Sequence, residues 1–234
     1  MPVRVLTYNI WDGGRDRLPL IEALIRSQSP DAVALQEVTD RRAAENLAGR
    51  LGMQYVHGDA NSAFGVAWLS RRPVDYAENH RLPELAKTLL QVDIGGCALF
   101  TTHLVHGRNR ASERVRVREI ETILGVLGHV GRPHVLVGDL NAVHPDDAVG
   151  KPPPEERLEY VSREPIARLL EAGYMDAFRA LRPADPGWTY LAAHPWARLD
   201  HVLVQGIEPG ECAVVDVAPA NEASDHFPVV AILG

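Results

Sequence analysis

Apolar and polar positions alternate along this chain with two different periods, and the switches between them outline its elements. Val3 to Ile10 is rich in β-forming residues, with polar Asn9 near its end. Leu18 to Gln28 repeats apolar residues at Ile21, Leu24 and Ile25 and stops at Ser29-Pro30, which predicts a helix. Asp31 to Val38 is almost continuously apolar, as in a strand covered on both faces. Thr39 to Leu51 reads as a second helix, with Asp40 near its start and Gly52 as the turn signal.

The middle of the chain is strand-rich. Phe64–Leu69, Thr88–Ile94 and Cys97–Thr102 carry β-branched or aromatic residues, and Gly95-Gly96 predicts a hairpin turn. Ser112 to Val130 places Ile120, Ile123, Leu124 and Leu127 on one helical face. A strand over His134–Gly138 follows the Arg132-Pro133 stop, and residues 142–157, with four prolines, predict a loop and a candidate lid. A helix over Glu164–Ala172 and strands over Arg198–Gln205, Cys212–Val217 and Phe227–Leu233 complete the pattern. No repeat of fixed period and no linker interrupts it. One α/β domain over residues 1–234, rich in antiparallel strands, is the simplest account.

Composition narrows the class. No stretch approaches the roughly 20 apolar residues of a membrane span, and MPVRVLTYNI lacks a secretory core, so a cytoplasmic monomer without stable membrane insertion is expected. The two cysteines, Cys97 and Cys212, do not make a disulfide framework and read as free thiols. A formal charge of −7 argues against a chain whose main task is coating nucleic acid, though a local basic strip is compatible with a nuclease. All but Lys87 and Lys151 of the 24 basic residues are arginine.

Polar residues sit where the apolar runs end. Asn9, Glu37, His103, and Asp139 with Asn141 each follow or close such a run, and ligands of open α/β sheets collect outside strand ends. Singly, each has an ordinary explanation as a turn former, a helix start or a core histidine. Together they could converge on one pocket of hard oxygen donors and imidazole. Two residues apart on an extended chain, Asp139 and Asn141 would face the same side. Glu37, Asp139 and Asn141 suit Mg²⁺, and zinc is disfavoured because no cysteine lies near another ligand and no HExxH occurs. Near the C-terminus, Asp225 and His226 are neighbours whose side chains diverge. Asp200 is the better partner for the imidazole's second nitrogen, which leaves Asp225 freer to face a metal.

These segments resemble a known family. TYNIW (7–11), LQEV (35–38), THL (102–104), GDLN (138–141), RLDHVLV (198–204) and SDHFPV (224–229) occur in the order found in the endonuclease/exonuclease/phosphatase superfamily, which includes DNase I. The resemblance implies a four-layer α/β sandwich, two mixed β-sheets face to face with helices outside. It implies that Asn9 and Glu37 hold Mg²⁺, for which Mn²⁺ could substitute, and that Asp139 and Asn141 position phosphate and attacking water. His103 would hydrogen-bond the phosphate. His226, oriented by Asp200, would be the general base or a transition-state ligand, with Asp225 near the metal; His226 ranks ahead of Asp139 as proton acceptor. THL stands where abasic-site endonucleases carry a tyrosine-bearing segment, which argues against that activity. The extended signatures of inositol-polyphosphate 5-phosphatases and the disulfides of secreted DNase I are absent.

The implied activity is hydrolysis of phosphate esters, with a phosphodiesterase of small molecules or lipid head groups ahead of a DNA or RNA nuclease. A non-catalytic binding module fits the intact polar set least. Arg108 and Arg110, read as loop residues beside His103, are the candidate phosphate contacts. Arg114 and Arg118 read as a solvated helix face. Trp11, Trp188 and Trp196 are candidates for the cleft wall or the core.

Overall fold

A computed structural model describes residues 2–156 and 158–234. In chain order the elements are β1 (Val3–Asn9), α1 (Leu18–Gln28), β2 (Ala32–Val38), α2 (Arg41–Leu51), β3 (Gln54–Gly58), β4 (Gly65–Ser70), β5 (Tyr76–His80), β6 (Leu89–Ile94), β7 (Cys97–His103), α3 (Arg110–Leu127) and β8 (His134–Asp139). There follow α4 (Glu164–Glu171), β9 (Met175–Asp176), α5 (Ala177–Leu181), β10 (Asp200–Gln205), β11 (Pro209–Val214), α6 (Ala220–Ala223) and β12 (Val229–Leu233). One sheet has the order β11-β12-β1-β2-β4-β3 and the other β5-β6-β7-β8-β10-β9. Each contains a single parallel pair, β1 with β2 and β7 with β8; every other pairing is antiparallel.

Period-two alternation on these strands serves two cores at once. Val5, Ala32, Ala34, Val66 and Trp68 point from the first sheet toward Leu90, Val92, Leu99, Val135 and Val202 of the second. Trp68 is fully buried there, and its Nε1 donates to the Leu90 carbonyl of the opposite sheet at 3.2 Å. Burying a side chain of that area is worth on the order of 4–5 kcal/mol. The other faces of the strands carry Leu6, Tyr8, Val33 and Leu35 against α1 and α2, and Phe100 and Leu136 against α3 and α4. Helix, sheet, sheet, helix: the expected four layers are present.

Asp40 caps α2 by accepting from the Ala43 amide at 3.0 Å, and Asn109 caps α3 from the Ser112 amide at 2.9 Å. Helix α3 therefore begins two residues before the predicted Ser112. Its apolar face is the expected one, with Ile120, Ile123 and Leu127 buried and Leu124 partly so. Ahead of Ile120 the buried positions are Glu113, Arg116 and Glu119. Glu119 accepts from the Ala86 and Val105 amides at 2.8 and 3.0 Å, and Arg116 donates to the Val105 carbonyl at 2.8 Å. These charges tie down the loops on either side of the cleft described below. Arg114 and Arg118 are exposed, as expected of a solvated face. Strands β3, β5 and β9 and helices α5 and α6 were not anticipated, being short or polar. Both cysteines are free; Cys212 is buried and Cys97 only partly so. No helix among the described residues is long and apolar enough to cross a membrane.

Candidate active site

The two parallel pairs run toward the same end of the sandwich, and strand register assembles the site there. His103 pairs with Asp139 across β7 and β8, and Asp200 pairs with Asp139 across β10 and β8. Three polar side chains thus share one row. On the other sheet Asn9 ends β1, and Glu37 sits near the end of β2 at a bulge, where the register with β4 shifts between Gln36 and Val38. Glu37 has φ 62°, and Trp11, Asp12 and Asn141 also have positive φ. Four of the six non-glycine residues in this uncommon conformation border one cleft, which is where backbone strain concentrates in functional sites.

Gly138 explains the first letter of the GDLN motif. Its φ is +143°, and a Cβ there would lie 2.0 Å from the Thr102 carbonyl oxygen. Only glycine lets β8 approach β7 closely enough to seat Asp139 beside His103.

Asp139 is the hub. Its Oδ1 accepts from the Asn141 amide at 2.9 Å; its Oδ2 accepts from Asn9 Nδ2 at 3.0 Å and lies 3.3 Å from His103 Nε2 and 3.7 Å from His226 Nε2. His226 Nδ1 meets Asp200 Oδ2 at 2.8 Å. That bond makes the close trio Asp139, Asp200 and His226 a hydrogen-bonded relay rather than a metal cluster, although their donor atoms lie within 4.8 Å of one another. Burial alone would lower the His226 pKa, but the Asp200 and Asp139 carboxylates, the hydrogen bond His226 donates to Asp200 and nearby Asp225 outweigh it and raise it to about 10. His103 moves the other way: burial lowers it to about 3, so it is a neutral imidazole.

The cleft, about 450 Å³, is lined by Glu37, Asp139, Asn141, Asp225, His103 and His226. A larger hollow elsewhere, about 670 Å³ and bordered by Glu78, His80, Asp93 and His129, contains none of the motif residues. Burial, followed by the Glu37 and Asp139 charges, raises the Asp225 pKa, although His226 acts against it. Three carboxylates crowded at one opening, all hard oxygen donors, fit a divalent cation such as Mg²⁺.

Several expected residues are placed differently. Asn9 is fully buried; its Oδ1 accepts from the Trp11 amide at 3.0 Å while its Nδ2 faces Glu37 Oε1 at 3.2 Å as well as Asp139. In this arrangement the amide nitrogen, rather than the oxygen, faces the two cleft carboxylates. Asn141 does not lie on extended backbone: its φ is 48°, and its Oδ1 accepts from Arg108 Nη1 at 3.3 Å. The Arg108 guanidinium thus sits on the oxygen that a cation would otherwise meet. Arg108 lines the cleft, but Arg110 is the first residue of α3 and stacks 4.5 Å over Tyr160, outside the cleft wall. Trp11 lines the cleft; Trp188 lines a separate hollow, and Trp196 is core. The described part of loop 142–157 is a strap: Glu156 accepts from the Tyr190 hydroxyl at 2.8 Å and meets Arg108 at 3.4 Å, and Tyr190 packs 4.8 Å from the His226 ring. Arg157 lies outside the described residues.

Some cleft residues had no sequence signal beyond their identity. Lys87, Phe64, His106, Asp12 and Tyr190 line it. Lys87 is buried, its pKa lowered by that burial, and its ammonium makes one long contact, 3.5 Å to the Leu104 carbonyl. The one available hint was that this chain almost always uses arginine for a cation. Beneath the site, Arg198 and His201 of the RLDH segment are structural. Arg198 donates to Asp147 Oδ2 and Asp176 Oδ2, each at 2.8 Å, and His201 joins Asp176 at 2.8 Å and the Ala142 carbonyl at 2.9 Å. This buried network holds the start of loop 142–157 under Asp200.

Two mixed sheets meeting over a carboxylate-backed imidazole and a cluster of oxygen donors define a metal-dependent phosphoric ester hydrolase. The model of the Endonuclease/Exonuclease/phosphatase family matches residues 6–226, and the chain belongs to that family. Exodeoxyribonuclease III of Haemophilus influenzae is 25% identical over 97% of this chain and 98% of its own length. An AP endonuclease from Archaeoglobus fulgidus superposes with a TM-score of 0.80 at 20% identity, over 98% of each chain. The 3′ phosphatase NExo from Neisseria, solved with a product DNA hairpin, gives 0.79 at 22% identity, again over 98% of each chain.

Proposed function

We propose that this chain, acting as a single 1–234 unit and as a monomer, is a Mg²⁺-dependent phosphodiesterase that drives water in line at phosphorus. The observation that carries this reading is the Asp200–His226–Asp139 row, with Glu37 and Asp225 on the same cleft. Asp200 fixes the Nδ1–H tautomer, so the His226 Nε2 points into the cleft. An imidazole between two carboxylates is held as a hydrogen-bond donor, which suits it to the non-bridging oxygens of the transition state. The order of proton acceptors then reverses the sequence ranking: Asp139 takes the water proton as the new O–P bond forms, and the leaving oxygen departs opposite. Neutral His103 and the Asn141 amide add donors without adding charge. Lys87 contributes a poorly satisfied ammonium, and Arg108, held by Glu156 and Tyr190, closes the outer wall. Glu37, Asp225 and Asp139 would hold the divalent ion, which when bound screens the charge of the phosphate and steadies the leaving oxygen.

Hydrolysis of bis(p-nitrophenyl) phosphate tests the proposal. It should require Mg²⁺ or Mn²⁺, stop in EDTA, and fall by about two orders of magnitude or more in His226→Ala. Activity that persists in EDTA would remove the metal, and a near-wild-type rate for the variant would remove His226. A second reading, a DNA or RNA nuclease, draws on the name of the H. influenzae relative. Plasmid DNA, RNA, phosphomonoesters and phospholipids compared at physiological salt decide between the two readings.

A further inference from the structure

Of the five large hydrophobic residues exposed among those described, two line the cleft just analysed: Trp11, 49% exposed, and Phe64, 37% exposed. The remaining three, Tyr76, Leu181 and Val217, lie outside it. Two partly exposed aromatic rings on the wall of one polar cleft offer apolar surface to whatever binds there.

Trp11 is also held in position. Its φ is 48°, a conformation that bulky residues avoid. Its amide donates to Asn9, the residue that braces Glu37 and Asp139, so the indole is referenced to the catalytic carboxylates. On one side of the indole lies the Arg17 guanidinium, 4.5 Å from the ring centre. Arg17 is pinned in turn by the Ala223 carbonyl at 2.9 Å and by the Ile10 and Trp11 carbonyls. One face of the indole is therefore occupied by a fixed cation, and exposure on this scale leaves the other free.

That cation selects what the free face takes. A guanidinium drains the negative potential of the ring, so a second cation, such as a quaternary ammonium head group, is disfavoured there. A neutral, electron-rich planar ring is favoured. An acyl chain is a poor match as well, because Asp12 and Glu37 border the same wall.

We infer that Trp11 and Phe64 form a stacking subsite for a nucleobase attached to the scissile phosphate, so that the substrate is a nucleotide phosphodiester with an unpaired base. The inference rests on the phosphodiesterase reading for the position of the phosphate. An unpaired base offers both faces to aromatic side chains, whereas a paired base inside a duplex offers neither. Among the described residues Lys87 and Arg108 are the lysine and arginine that line the cleft, few for tracking a long phosphate backbone, which matches a single nucleotide step rather than an extended duplex track.

The test is equilibrium binding with Mg²⁺ present, comparing AMP with ribose 5-phosphate, which shares the phosphate and sugar but lacks the base. The wild type should bind AMP roughly tenfold or more tightly than ribose 5-phosphate. Trp11→Ala and Phe64→Ala should each shrink that ratio, the double variant should bring it to about one, and Trp11→Phe should keep most of it. Thermal unfolding of each variant checks that the fold is intact. Equal affinity in the wild type, or a ratio that survives the double substitution, overturns the subsite. So does glycerophosphocholine binding as tightly as the dinucleotide ApA. If base discrimination holds while bis(p-nitrophenyl) phosphate is not hydrolysed, the phosphodiesterase reading alone fails.

Discussion

Replacing Lys87 with methionine should move stability and activity in opposite directions. The side chain is 8% exposed, and the ammonium has three N–H donors with a single contact, at 3.5 Å. Burial lowers its pKa even though Asp139, Glu119 and Glu37 pull upward. A lysine whose folded pKa lies below its unfolded value carries a penalty for being charged at every pH below the folded value. Methionine has nearly the same volume and no charge, so Lys87→Met removes that penalty without opening a cavity. The melting temperature should therefore stay level or rise. A charge-assisted hydrogen bond formed to the transition state is worth about 1.5–3 kcal/mol, roughly a 10- to 150-fold rate effect. Steady-state hydrolysis of bis(p-nitrophenyl) phosphate should show that loss chiefly in kcat, with calorimetry run on the same preparation. A folded variant with a wild-type kcat would refute the reasoning, and so would a variant that melts several degrees lower.

Three further outcomes follow from the geometry. Asp200→Asn removes the carboxylate behind His226, so kcat should drop about 10²–10⁴-fold and the ring pKa, followed by NMR, should move down from about 10. Asp176 is buried; burial pushes its pKa up, but Arg198 and His201 prevail and hold it well below the usual carboxylate range. The stability it contributes is present above the unfolded value near 3.9 and lost as pH falls through the folded one, so Asp176→Asn should unfold at higher pH in acid titrations monitored by circular dichroism. Gly138→Ala should cost about 3 kcal/mol or more in urea unfolding, because its Cβ would collide with the Thr102 carbonyl.

The fold was legible wherever a strand or helix carries its own apolar signature. β1, β2, β7 and β8 stand out in the sequence because both of their faces are buried, and these four strands place Asn9, Glu37, His103 and Asp139. Strands β3 and β5 were not legible: as partly exposed edge strands they alternate weakly, and His57, Glu78 and Asn79 hide the pattern. The apolar face of α3 was legible, but the burial of Glu113, Arg116 and Glu119 was not, since these charges satisfy loop amides and carbonyls that no periodicity reveals. In the site, motif order located the row of Asp139, Asp200 and His226, while the roles of Asn9 and Asn141 depended on which amide atom faces which neighbour. Lys87, Phe64 and Tyr190 come from segments without a motif and reach the cleft only through packing. Arg110 was read as loop because the Asn109 cap that starts α3 was not recognised.

Strand β12 lies between β11 and β1, so Val3 finds its partner only in Leu233. During synthesis β1 must therefore wait, with one edge open, for β12. His226, three residues ahead of β12, arrives with it. A nascent chain stalled before residue 226 would hold Glu37 and Asp139 without the Asp200-backed imidazole, so on the proposed mechanism competence would emerge in one step, when β12 is made.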